Sequence, residues 1–201
     1  MKYLGESFDL HCGGADLVFP HHENEIAQSE ASTGRPFVQH WIHSEFLQVE
    51  GEKMSKSIGN IRLVHELIKE YKGEVLRMTL LSAHYRQPLN WTKEVIKQNS
   101  TMLDRLYRTL KDLEHIDAYT NNHALPQSIL GGFYDDLNTP KVIAELNILT
   151  NKVTKVDEEE KSLIKYCLLE TGKVLGILQQ DPGEWLGYGR SKNLDEATIE
   201  N

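Results

Sequence analysis

The hydrophobic period of this chain changes near Asn60, and that change limits its architecture more than any other feature. Before it, apolar residues fall in short runs broken by glycine and proline. Ser7-Phe8-Asp9-Leu10-His11 reads as a short strand running into Gly13-Gly14, a break suited to close backbone approach. Leu17-Val18-Phe19-Pro20 leads into a helix expected around residues 22–32, with Pro20 near its start and Gly34-Arg35-Pro36 at its end. Phe37 to His43 is strand-like, rich in aromatic and β-branched residues. Phe46-Leu47-Gln48-Val49 then alternates ahead of Glu50-Gly51, a hairpin-type turn.

After Asn60 the apolar spacing becomes three and four, the period of a helix with one buried face. Leu63, Val64, Leu67 and Ile68 share such a face, followed by Val75, Leu76, Met78, Leu80 and Leu81. The clearest long helix starts near Thr92, with a stripe of Val95, Ile96, Met102, Leu103, Leu106, Tyr107, Leu110 and Leu113. A further helix is expected at Thr139-Pro140, a capping residue followed by a first-turn proline. Another begins at Asp157, with Glu160 three residues on in capping-box fashion. The expected fold class is therefore α/β, then all-α. The expected divisions are residues 1–60, 61–118 and 119–187, with a polar tail over 188–201.

Composition removes several classes of function. No apolar run approaches the ~20 residues that span a bilayer, so no membrane partner is expected. Cys12 and Cys167 are too few for a disulfide framework and fit a reducing, cytoplasmic location. The net charge of −8 argues against non-specific coating of nucleic acid. That charge divides into −5 over 1–60, +4 over 61–110 and −7 over 111–201, which leaves room for one phosphate-binding face in the middle. Lys72, Arg77, Arg86, Lys93, Lys97, Arg105 and Arg108 supply that basic segment, and a merely solvated set of helices would look the same. Five of the nine histidines lie between His11 and His43, a density that fits metal binding or catalysis as well as surface histidines on a glutamate-rich helix.

Lys53-Met54-Ser55-Lys56-Ser57 lies between Gly51 and Gly59. Two lysines three apart with hydroxyls beside them can neutralise a triphosphate and its developing charge, and the same composition also makes an ordinary solvated turn. His21 and Glu25 are four apart at a helix start, so both project from one face as half of a tetrahedral metal site or as a surface pair. Gly13-Gly14 with Asp16 fits either a plain turn or a backbone approach to a nucleotide.

The string Lys53–Ser57 is the KMSKS signature of class I aminoacyl-tRNA synthetases. Phe8-Asp9-Leu10-His11-Cys12-Gly13-Gly14-Ala15-Asp16-Leu17, followed by Phe19-Pro20-His21-His22-Glu23-Asn24-Glu25, resembles the cysteinyl-tRNA synthetase family in particular. Trp41-Ile42-His43 keeps that family's order, and His84-Tyr85-Arg86 and Asp135-Asp136-Leu137-Asn138-Thr139-Pro140 resemble its later helical regions. The resemblance covers nearly the whole chain.

The resemblance implies the second half of a class I, Rossmann-like catalytic domain followed by a helical bundle. It assigns Lys53 and Lys56 to catalysis, and Lys56, Ser55, Gly14 and Asp16 to ATP, the last through the ribose. His11 lines the amino-acid pocket, and His21 and Glu25 hold zinc, which selects a thiol over a hydroxyl. The implied ligands are ATP with Mg2+, Zn2+, cysteine and tRNA(Cys). His22 and His43 read as pocket-wall or structural residues. Cys12 stands where many members have glycine, either as a substitute zinc ligand or as a tolerated small residue. Glu45 replaces a usual glycine and adds negative charge near the ATP loop.

No HIGH-type string occurs in this sequence, and the family's two zinc-binding cysteines are not matched. The expectation is a segment that is not self-sufficient, served by a separate N-terminal half. Two further readings stay open: a non-catalytic tRNA- or protein-binding remnant, and a cysteine ligase acting on a small amine.

Overall fold

The computed structural model describes residues 3–55, 57–119 and 124–187, and the expected tail over 188–201 lies outside them. The described residues belong to two compact units. The first takes residues up to Ile61 together with Tyr85–Trp91, and the second takes Arg62–His84 and the chain from Thr92 onward.

In the first unit, β1 (Phe8–Gly14) and β2 (Val38–Ser44) run parallel, with Phe8 opposite Val38, His11 opposite Trp41 and Gly13 opposite His43. A parallel pair needs a crossover, and α1 (Glu23–Thr33) lies in it. Gly34 ends α1 at φ 68°, a left-handed position that glycine adopts without strain. Short turns over Ala15–Leu17 and Val18–His22 carry the chain from β1 into α1.

The alternating run beyond β2 becomes a second sheet. β3 (Leu47–Val49) pairs antiparallel with β4 (Glu52–Lys53) through the expected Glu50-Gly51 turn, where both residues have positive φ. On its other side β3 pairs in parallel with β5 (Leu89–Trp91), a strand that periodicity does not reveal. Asn90 of β5 secures the hairpin, its Oδ1 accepting from Gly51 N at 2.8 Å.

The second unit is helical: α2 (Val64–Glu70), α3 (Gly73–Leu81), α4 (Lys93–Asp112), α5 (Gln127–Phe133), α6 (Thr139–Lys152), α7 (Glu158–Leu175) and α8 (Pro182–Leu186). Its core draws on Val75 and Met78 of α3, Leu103, Leu106 and Tyr107 of α4, Leu146 of α6 and Leu168 of α7. Thr92 caps α4 by accepting from Val95 N, and Asp157 caps α7 by accepting from Glu160 N. The cap of α6 is Asn138 and not Thr139. Asn138 Oδ1 accepts from Lys141 N, while the Thr139 hydroxyl donates to Leu81 O at 2.7 Å. The apolar face expected on α2 stays largely exposed at Val64 and Ile68. Among the described residues, no helix is long and apolar enough to cross a membrane.

Candidate functional site

Strand alternation puts His11 and Gly13 on the same face of β1, and the parallel register sets them beside Trp41 and His43 of β2. The start of α1 brings His22 and Glu25 to this face, three residues apart on one side of the helix. His22 fits because Gly13 has no side chain: a Cβ there would stand 2.5 Å from His22 Cε1 and 2.9 Å from Nε2. The His22 ring is buried, and its Nδ1 is 2.9 Å from His43 Nε2. His11 Nε2 is 3.2 Å from Glu25 Oε2. Ring centroids of His11 and His22 are 5.0 Å apart, and Trp41 lies 4.8 Å from the first and 4.9 Å from the second.

One ligand atom each from His11, His22 and Glu25 all lie within 4.8 Å of one another. Burial holds the His22 imidazole below its ordinary pKa. The Glu25 carboxylate opposes that shift, and the His11, His43 and His21 rings reinforce it. A ring kept neutral by burial retains a lone pair for a proton or a metal.

Of the expected zinc pair, only Glu25 is among the three residues of this cluster, and His21 is exposed. His11, expected to line the amino-acid pocket, is one of the cluster's three members. Cys12 follows His11 on the strand, faces the other way and is exposed.

The nucleotide-binding candidates lie on the same unit. Asp16 folds back over Gly14, where a Cβ would meet its Oδ1 at 2.6 Å. Lys53 Nζ is 3.5 Å from Asp16 Oδ2 and 3.6 Å from the Phe46 ring centroid. Ser55 N donates to Asn60 Oδ1 at 2.9 Å, and Asn60 Nδ2 donates to Lys53 O at 3.3 Å. Asn60 therefore ties both sides of the lysine loop, a role that its place one residue after Gly59 could have signalled. Ser55 and Ser57 share a 3.1 Å hydroxyl contact, and Lys56 lies outside the described residues. Glu45 is half-buried, with its backbone N donating to Tyr85 O at 2.8 Å. Of the basic residues expected to face phosphate, three are engaged inside the helical unit, Arg105 by donating from Nη2 to Asn151 Oδ1. Lys72 Nζ donates to Trp185 O at 2.7 Å, and Arg77 Nε donates to Leu175 O.

The family model described as the tRNA synthetases class I (C) catalytic domain matches residues 1–101, just over half of the chain. This chain belongs to that family. A relative named cysteine–tRNA ligase from Paramagnetospirillum magneticum is 46% identical over 202 aligned residues, covering 100% of this chain and 44% of the relative. One of the same name from Parvibaculum lavamentivorans is 45% identical, covering 99% of this chain and 43% of the relative. The chain thus spans less than half the length of these members of the family. A solved LeuRS from Agrobacterium radiobacter K84, in a ternary complex with tRNA and LeuAMS, shares the fold. It matches with a TM-score of 0.63 at 16% identity, over 89% of this chain and 27% of LeuRS.

Proposed function

We propose that this chain is the second half of a class I catalytic domain followed by a helical bundle, and that it serves as part of a cysteine–tRNA ligase. The observation that carries this reading is the identity of about 46% to such ligases along the whole chain. In this reading the boundaries fall at residues 60 and 118, with residues 61–118 contacting the tRNA stem.

The reaction has two balanced steps. A carboxylate oxygen of cysteine attacks the α-phosphorus of ATP, the bond to the β-phosphate oxygen breaks, and pyrophosphate leaves with Mg2+. A hydroxyl at the tRNA 3′ end then attacks the adenylate's carbonyl carbon and AMP leaves. Lys53 and Lys56 neutralise charge that builds on the phosphates, Ser55 donates to them, and Gly14 and Asp16 hold the ribose. His11 borders the amino acid. Such catalysis is positioning and charge stabilisation without a covalent enzyme intermediate.

Zinc is implied by the family, and in this reading His21 and Glu25 would hold it, with the His11 and His22 imidazoles close to Glu25 in surroundings whose donors suit zinc. When bound, it supplies a thiophilic centre that separates cysteine from serine.

The test is a chimera in which residues 1–201 replace the matching region of the Paramagnetospirillum relative. It should charge tRNA(Cys) with cysteine, and Lys56→Ala should lower the rate on the order of 10²-fold. A folded chimera that charges neither tRNA nor forms cysteinyl-adenylate would sink the reading. Product formed on an amino-sugar and not on tRNA would instead support the small-amine ligase. The chain alone is expected to show no cysteine-dependent ATP–pyrophosphate exchange.

A further inference from the structure

We propose that Asn60 is a positioning residue for the activation step, its side-chain amide fixing the backbone from which Lys53 and Ser55 reach the phosphates. This role rests on the ligase reading above and acts through the lysine loop, since Asn60 itself is neutral and half-buried.

β4 ends at Lys53 and is an outer strand of its sheet, with β3 as its neighbour. The backbone that follows is still held. Met54 N donates to Leu47 O of β3 at 2.9 Å. Lys53 O and Ser55 N, which flank that group, are taken by Asn60, whose Nδ2 donates to the first at 3.3 Å and whose Oδ1 accepts from the second at 2.9 Å. A carbonyl and an amide two residues apart are the pair that one residue of a parallel neighbour strand engages, and here a side chain supplies both partners. Asparagine suits this because its amide carries a donor and an acceptor on one short stem. The reverse orientation of the amide would set oxygen against oxygen at Lys53 and nitrogen against nitrogen at Ser55, so the two partners determine it. Gly59, at φ 73°, turns the chain ahead of Asn60, and its N donates to Ser55 O at 3.2 Å.

Backbone placement matters because the two phosphate-facing groups differ in reach. Lys53 has a long stem and a half-exposed head, so it meets a triphosphate from a range of backbone positions. The Ser55 hydroxyl sits directly on Cβ, and its aim follows the backbone. A misplacement of about 1 Å can cost about 10²-fold in rate. Loss of Asn60 leaves the lysine charge that attracts ATP and removes the alignment that the transition state requires.

The experiment uses the chimera carrying residues 1–201, assayed by cysteine-dependent ATP–pyrophosphate exchange. Asn60→Ala should lower kcat about 10–100-fold and leave KM for ATP within about threefold. Asn60→Asp keeps the acceptor for Ser55 N and lacks the donor to Lys53 O, so its kcat should lie between parent and Asn60→Ala. Being of the same size, it also serves if Asn60→Ala fails to fold. Because Asn60 acts through Lys53, the losses from Asn60→Ala and Lys53→Ala should combine to less than their product, which a merely structural role would not produce. In the 201-residue chain by itself, the Ser55 amide should exchange with solvent at least about tenfold faster in Asn60→Ala than in the parent. A parent rate in Asn60→Asp, a rise in KM with kcat unchanged, fully multiplicative losses, or equal Ser55 exchange would each overturn the positioning role and leave the ligase reading intact. A folded parent chimera that forms no adenylate would overturn both.

Discussion

Lys53 and Asp16 are joined by an ion pair of 3.5 Å, and the same ammonium group lies 3.6 Å from the centre of the Phe46 ring. Both charged side chains are about half exposed, at 50% and 53%. Solvent screening limits such a pair to about 0–1 kcal/mol. The two residues are also those assigned to phosphate and ribose, so a nucleotide bound at both would replace this contact with its own. Lys53→Ala and Asp16→Asn should therefore each lower stability by less than about 1 kcal/mol in urea denaturation. A loss of more than about 2 kcal/mol would make the pair a folding element and not a ligand-ready one.

Gly13→Ala tests the close approach beneath the histidine cluster. The added methyl would meet the His22 ring at 2.5 Å, and that ring is rigid and already in contact with His43. Forcing a group into such a packed position costs about 1–3 kcal/mol. Gly73→Ala is the control, because nothing lies within 4 Å of its Cβ position and Gly73 opens α3. That substitution should be neutral or stabilise by up to about 1 kcal/mol. Equal urea midpoints for the two variants would show that the His22 ring has room to move.

The sequence patterns that survive folding are the local ones. The stripe of α4 predicts its buried Ile96, Leu103, Leu106, Tyr107, Leu110 and Leu113, because an amphipathic helix encodes its own inner face. The Glu50-Gly51 turn and the Asp157 cap are equally local. β5 was not legible: it has three residues, and its partner β3 lies about forty residues earlier. Periodicity also reports which face is apolar and not how deeply it is buried. Val64 and Ile68 keep the helical spacing and remain exposed, and Val49 and Trp91 are the buried apolar side chains among the described residues of the first unit. The candidate site shows the same limit. Its chemistry-bearing residues were visible as types, but the seating of the His22 ring depends on where β1 places Gly13.

The two cysteines should react in sequence. Cys12 is exposed, whereas burial pushes the Cys167 thiol up to about 11. The thiolate is the reactive form, so an aromatic disulfide reagent at about pH 8 should modify one thiol in the folded chain and two in urea. A raised folded pKa means that the contribution of Cys167 is complete below its unfolded value and is lost as pH rises through about 11. Stability of the helical unit should therefore fall above about pH 9, and Cys167→Ala should flatten that fall. Fast modification of both thiols under native conditions would contradict the burial.

The Glu74 carboxylate joins α3 to the turn after α7. Its Oε2 accepts from the Tyr107 hydroxyl at 2.8 Å and from Leu178 N at 2.9 Å, and its Oε1 accepts from Gln179 N at 3.1 Å. Leu178 holds φ at 59°, a strained value for a side chain with a Cβ, so its amide depends on that acceptor. The Tyr107 hydroxyl in turn accepts from Gln180 N at 3.1 Å. Glu74→Ala removes the acceptor of two backbone amides and one buried hydroxyl, and should cost about 2–4 kcal/mol at an unpaired penalty of about 1–3 kcal/mol per buried group. Tyr107→Phe removes one hydroxyl and should cost about 1–2 kcal/mol. Because the groups share partners, the double variant should lose less than the sum of the two, which a double-mutant cycle in urea measures directly. Additive losses would mean that Tyr107 and Glu74 act through separate contacts.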